Sequence, residues 1–122
     1  MIASVFVAAL LAQATAKDPT KDAAATAATV AAELDHANKC RVHTQMLPTV
    51  FADNAGRKRW GEAVYAWWTK ESDRLAARLG LSAGDAEIRR LLIPITPDMD
   101  FINACVGEAK RHGLKPRAAS KR

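Results

Sequence analysis

Cys40 and Cys105 are the only cysteines of the 122-residue chain, and each falls on an apolar stripe with helical spacing. Around the first, Val30, Leu34, Ala37, Cys40, Thr44 and Leu47 recur three or four residues apart, the pattern of a single buried helix face. Around the second, Met99, Ile102, Cys105, Val106 and Ala109 repeat the pattern. A bond between the two sulfurs would hold the first helix of the chain against the last. Closing so long a loop stabilises a small domain by ~4 kcal/mol in the chain-entropy model.

The start of the chain favours that bond. Residues 1–16, MIASVFVAALLAQATA, carry no charge and end in Ala14-Thr15-Ala16, the small-x-small pattern that signal peptidase accepts. The run lacks a basic residue near Met1, but it is shorter than the ~20 apolar residues a spanning helix needs. It reads as a signal peptide, and the mature protein as periplasmic or secreted, where thiols are oxidised. The simplest state of Cys40 and Cys105 there is one cross-helix disulfide.

Proline and glycine punctuate the rest. Asp18-Pro19 offers a helix start, and an alanine-rich segment runs without a breaker to Pro48. Residues 17–29 have little but alanine to bury, so this part of the first helix is expected to fray or project beyond the domain. A second helix is expected over residues 55–79, closed by Gly80. Ser82 and Asp85 frame a third, with Ile88, Leu91 and Leu92 as its buried side and Pro94 as its end. Thr96 caps a fourth, with Pro97, Asp98 and Asp100 in its first turn and Gly113-Leu114 as its stop. No alternating run indicates a strand. The expectation is all-α: a signal peptide, a small four-helix domain over residues 30–113 with one disulfide, and a basic flexible tail over residues 114–122.

That tail accounts for the charge. The chain carries a net +5, yet the last thirteen residues hold six Lys or Arg and no acid, so the body is close to neutral. A short run containing Gly113, Pro116 and Ser120 is a solvated end that can touch anionic lipid or a polyanion weakly; it is not a shaped nucleic-acid face, and no specific nucleic-acid binding is expected.

All three tryptophans lie between residues 60 and 68. At ~100° per residue, Trp60, Val64, Trp67, Trp68, Leu75 and Leu79 share a wide arc of the second helix, with Tyr65 and Ala76 on its far side. Trp67 and Trp68 diverge by ~100°, so one ring is expected at the edge of the core, where it becomes the natural contact for a partner. Trp60, Trp67 and Trp68 are the candidates. Glu71 falls in the same arc and needs a partner there, with Arg74 and Arg78 nearest along the helix.

The histidines raise a different chemistry. His36, Cys40 and His43 share one helix face at i, i+4 and i+7, and His112 lies seven residues after Cys105. If the two helices are antiparallel, His112 comes within about a turn of His36, and imidazole with thiolate is a ligand set for zinc or copper. A disulfide would consume both thiolates, leaving His36, His43 and His112 as metal candidates or as a histidine pH sensor near the seam.

The segment ITPDMDFINAC, through Thr96, Pro97, Ala104 and Cys105, resembles the helix start and second cysteine of the periplasmic acid-stress chaperones. That family is small, exported, all-helical and held by one disulfide, and the resemblance implies an acid-response role as an alternative. No nucleophile elbow, phosphate loop, haem-attachment motif or His-Glu-x-x-His occurs, and no cofactor is expected. The leading expectation is a non-catalytic envelope or partner-binding protein.

Overall fold

In the computed structural model, residues 19–115 are described, with side chains from Thr26 onward. The signal-like segment and residues 116–122 of the basic tail lie outside the described residues. The chain forms α1 (Pro19–Thr44), a single turn α2 (Leu47–Val50), α3 (Ala55–Arg78), α4 (Ala83–Leu91) and α5 (Met99–Arg111). There is no strand among the described residues, and the domain is built from four helices with α2 as a one-turn connector. None of these helices is long and apolar enough to cross a membrane.

The stripe on α1 organises the core. Val30, Leu34, Ala37, Cys40, Thr44 and Leu47 are each no more than 4% exposed, whereas Thr26 to Thr29 are exposed. Burial therefore begins at Val30, and the preceding turn of α1 has no apolar side chain larger than alanine to dock. Cys40 and Cys105 form the disulfide, with Cα atoms 5.6 Å apart. His36 meets Glu108 and His43 meets the ring of Phe101, so α1 and α5 run antiparallel on either side of the bond. Arg41 of α1 donates to Ser72 and Asp73 of α3. Trp68 of α3 donates through Nε1 to the carbonyl of Cys105, 3.1 Å away, which ties the third long element to the disulfide.

Helix ends follow local chemistry. α1 stops at Thr44, earlier than the unbroken run to Pro48 implied, and Thr44 Oγ1 turns back to the carbonyls of Cys40 and Arg41. The side chain of Asn54 accepts from the amide of Arg57 at the start of α3. At its end Gly80 adopts φ +72°, and Leu81 N–H bonds the carbonyl of Ala76, closing the turn expected there. Gly113 repeats this after α5 with φ +109°, and Leu114 N–H reaches Ala109 while its side chain packs on the core.

Four local expectations are corrected. The cap of α5 is Asp98 rather than Thr96: its Oδ1 accepts from the amides of Asp100 and Phe101, while the Thr96 amide is committed to His43 Nε2 at 3.1 Å. Met99, expected on the apolar face of α5, is 46% exposed because it sits at the first position of the helix, outside the packed seam. Ala76 is 5% exposed, not on the outer side of α3, because α3 is covered by more than one neighbour. Ile88 and Leu91 of α4, with Leu92 as its C-cap, face outward, at 55–76% exposure. Ala86 is the buried residue of that helix, which packs through small and polar groups, with Arg89 3.9 Å from Asp35 of α1.

The approach of α2 to α3 depends on one residue. A methyl group on Gly61 would stand 2.9 Å from Leu47 Cβ, 3.1 Å from the carbonyl carbon of Leu47 and 3.2 Å from Pro48 N. Gly61→Ala is expected to destabilise the domain by ~1–2 kcal/mol in urea unfolding, since overpacking against backbone costs ~1–3 kcal/mol and helix propensity returns at most ~1. A gain in stability would show that α2 can move aside.

A candidate binding groove between the first, third and fifth helices

Where α1, α3 and α5 diverge above the disulfide they leave a cleft of about 420 Å³. Each helix supplies one row of side chains at helical spacing. α1 gives Glu33, His36 and Ala37; α3 gives Trp67, Trp68, Glu71, Arg74 and Leu75; α5 gives Glu108 and His112. Its base is apolar and aromatic, and its rim is charged.

The three tryptophans occupy different depths. Trp68 is 2% exposed and fully committed to the core, its ring edge-on to His36 at 5.7 Å and to Trp67 at 4.8 Å. Trp60 is partly buried on the flank of the core and does not reach the groove. Trp67 is also partly buried, and it is the ring that both lines the groove and keeps accessible surface. Its face stacks on His112, with centroids 5.8 Å apart and planes 22° apart.

The rim is built from coupled charges. Arg74 grips Glu71 with two bonds, Nε to Oε1 at 3.2 Å and Nη2 to Oε2 at 2.6 Å. The hydrogen bond and charge of Glu71, with a further contribution from Glu33, hold the Arg74 guanidinium above its ordinary value, so it is a fixed cation. His36 Nε2 lies 2.7 Å from Glu108 Oε1 across the α1–α5 seam. Glu71 and Glu33 thus flank the one guanidinium, Glu108 faces His36, and the groove holds three carboxylates to one arginine.

The three histidines have different settings: His36 and His112 both line the groove, and His43 does not. His36 Nε2 lies 3.6 Å from Cys40 Sγ, but Cys40 is bonded to Cys105. His43, 4% exposed, uses both ring nitrogens: Nδ1 is 2.8 Å from the carbonyl of Lys39, and Nε2 accepts from the Thr96 amide. That pattern places the proton on Nδ1 and leaves no lone pair for a metal. His112 lies on Trp67 at the far end of the groove. Glu108 was not singled out in the sequence, although it follows Cys105 by three residues on the same face, the mirror of His36 preceding Cys40 by four.

No family model, curated protein or solved structure matches this chain.

Proposed function

We propose that this chain is a non-catalytic, exported, disulfide-bonded helical protein that binds a partner through the groove at Trp67, and that the partner presents a basic side chain, lysine or arginine, on an exposed segment. The observation that carries the reading is the placement of Trp67, the one tryptophan with surface in the groove, beside Glu33, Glu71 and Glu108. An aromatic ring attracts a cation through its face or accepts its aliphatic stem, and surrounding carboxylates supply charge complementarity. Partly buried aromatics of this kind commonly dominate binding energy.

A binding role also suits the chemistry of the lining. The groove offers carboxylates, imidazoles and one guanidinium, with no hydroxyl, thiol or amine to act as a nucleophile. Its strongest polar groups are already paired with one another in Arg74–Glu71 and His36–Glu108. The signal-like sequence of residues 1–16 and the disulfide both favour a location in the periplasm or outside the cell, and an envelope protein is the natural partner class there.

Titration with a lysine- and arginine-rich octapeptide, followed by tryptophan fluorescence, tests this. Binding is expected for the basic peptide, weakening with salt, and not for a glutamate-rich peptide of the same length. Trp67→Ala is expected to lower affinity at least ~10-fold, about 1.4 kcal/mol, while the variant stays folded. Equal binding of both peptides, or an unchanged affinity in Trp67→Ala, would reject the groove as the site.

A further inference from the structure

Four potential metal donors converge where α1 crosses α5. His36 and Cys40 are one helical turn apart on α1, and Cys105 and Glu108 are one turn apart on α5, so the two helices present matching pairs to each other. The donor atoms of His36, Cys40 and Glu108 all lie within 4.8 Å of one another, and Cys105 is bonded to Cys40. We infer that in its dithiol form the chain holds one divalent cation of the zinc class through Cys40, Cys105, His36 and Glu108, and that closing the disulfide expels it.

Once the sulfur–sulfur bond opens, two of the spacings are near those a cation needs, and the third, from Cys40 Sγ to the Glu108 carboxylate, lies within 4.8 Å and has to close toward about 3.5 Å. Tetrahedral zinc, with Zn–S of about 2.3 Å and Zn–N or Zn–O of about 2.0 Å, sets sulfur and nitrogen about 3.5 Å apart and nitrogen and oxygen about 3.3 Å apart. Cys40 Sγ and His36 Nε2 are already at 3.6 Å. His36 Nε2 and Glu108 Oε1, now 2.7 Å apart, need to separate by roughly half an ångström as the ring proton moves to Nδ1 and a metal comes between Nε2 and Oε1. The donor set of two thiolates, an imidazole and a carboxylate selects a borderline cation over calcium or magnesium. Access is built in: both sulfurs are fully buried, but the side chains of His36 and Glu108 are 44% and 29% exposed and open to the groove.

The redox step balances with a disulfide as oxidant. Cys40 and Cys105 thiolates give up two electrons and form the S–S bond; the oxidant's disulfide takes those electrons with two protons and becomes two thiols; the cation leaves hydrated. A dithiol reductant runs the reaction in reverse, and metal binding then releases the two thiol protons. Once the cation has left, His36 and Glu108 return to each other as the hydrogen-bonded pair seen in the disulfide form.

Cobalt(II) reports the site directly. Titrating the phosphine-reduced protein with cobalt is expected to give, at one equivalent, a thiolate-to-metal band in the near ultraviolet and the intense visible bands of tetrahedral cobalt, both erased by zinc. The oxidised protein is expected to show neither. His36→Asn and Glu108→Gln are each expected to weaken zinc binding at least ~10-fold while the thiolate band persists, since even loss of an outer-shell partner costs ~10–100-fold in metal affinity. The double variant Cys40→Ser/Cys105→Ser is expected to show no band. Reoxidation with a disulfide should release one zinc per bond closed, measured with a chromophoric chelator. The inference is overturned if the reduced chain gives no tetrahedral spectrum, whether folded or not. It also fails if the oxidised chain gives the same spectrum, or if neither His36→Asn nor Glu108→Gln changes affinity. None of these outcomes depends on whether the groove binds a basic peptide.

Discussion

Trp68→Ala is expected to lower the unfolding free energy by ~4 kcal/mol, within the ~3–5 kcal/mol range for removing a buried tryptophan. The reason lies in what surrounds the ring. Trp68 is 2% exposed, hydrogen-bonded to the carbonyl of Cys105, and the disulfide holds α1 and α5 together beside it, which limits how far the helices can close into the space. The cavity therefore persists, and persistence is what makes a truncation costly. His36 and Trp67 would each lose an edge-on partner, and the Cys105 carbonyl would lose its indole donor. Trp68→Phe separates these terms, because it keeps most of the volume and gives up the hydrogen bond, for an expected loss of ~1–2 kcal/mol. Urea unfolding followed by circular dichroism measures both. A loss below ~1 kcal/mol for Trp68→Ala would mean that the helices can close over the gap. The same substitution at Trp67 is expected to be much milder, which is why Trp67→Ala serves as a probe of binding and Trp68→Ala does not.

How far the sequence reveals this structure differs from helix to helix. The stripe from Val30 to Leu47 could be read in full because its members recur at helical spacing on one face, and every one is buried where α3, α4 and α5 gather around α1. α3 was harder. It is covered on more than one side, so Ala76 and Ser72 are buried outside the arc that hydrophobicity alone defines, and Ser72 is held there by Arg41. In α4 the pattern misled, since periodicity identifies an apolar face without saying what covers it, and Ile88, Leu91 and Leu92 are left in solvent. The start of α5 offered two capping residues two positions apart; Asp98 takes the role through its side chain, and the backbone amide of Thr96 is bound to His43 Nε2. For the groove, the helical spacings of His36 and Cys40 were visible, and so was the Glu71–Arg74 pair. Glu108 was not, because histidines and cysteines stand out as rare residues while one glutamate among thirteen acids does not.

Removing the Cys40–Cys105 bond is expected to cost about as much as removing Trp68, but by a different route and with a different signature. The bond closes a loop with a sequence separation of 65, for which the chain-entropy model gives ~4 kcal/mol, a large share of the ~5–15 kcal/mol that holds a typical small domain together. For a domain of this size that corresponds to a fall in Tm of about 15–30 °C. Both sulfurs are fully buried, so an added reductant has to wait for α5 to swing away from α1. Reduction should accordingly be slow in buffer and accelerate steeply in urea concentrations that leave most molecules native, which mass spectrometry of alkylated thiols can follow. A reduction rate indifferent to urea would mean that the bond is reached without opening the helices. The stability lost also discriminates between mechanisms. If it arises in the unfolded chain, Trp68 and the core around it keep their native fluorescence in the reduced folded state, and only the midpoint moves. If instead the bond holds α5 in place against strain, reduction alters that fluorescence before unfolding begins. The cation site makes a further demand on the same experiment: zinc should restore part of the lost stability to the reduced protein and none to the oxidised one, because only the open thiols bind it.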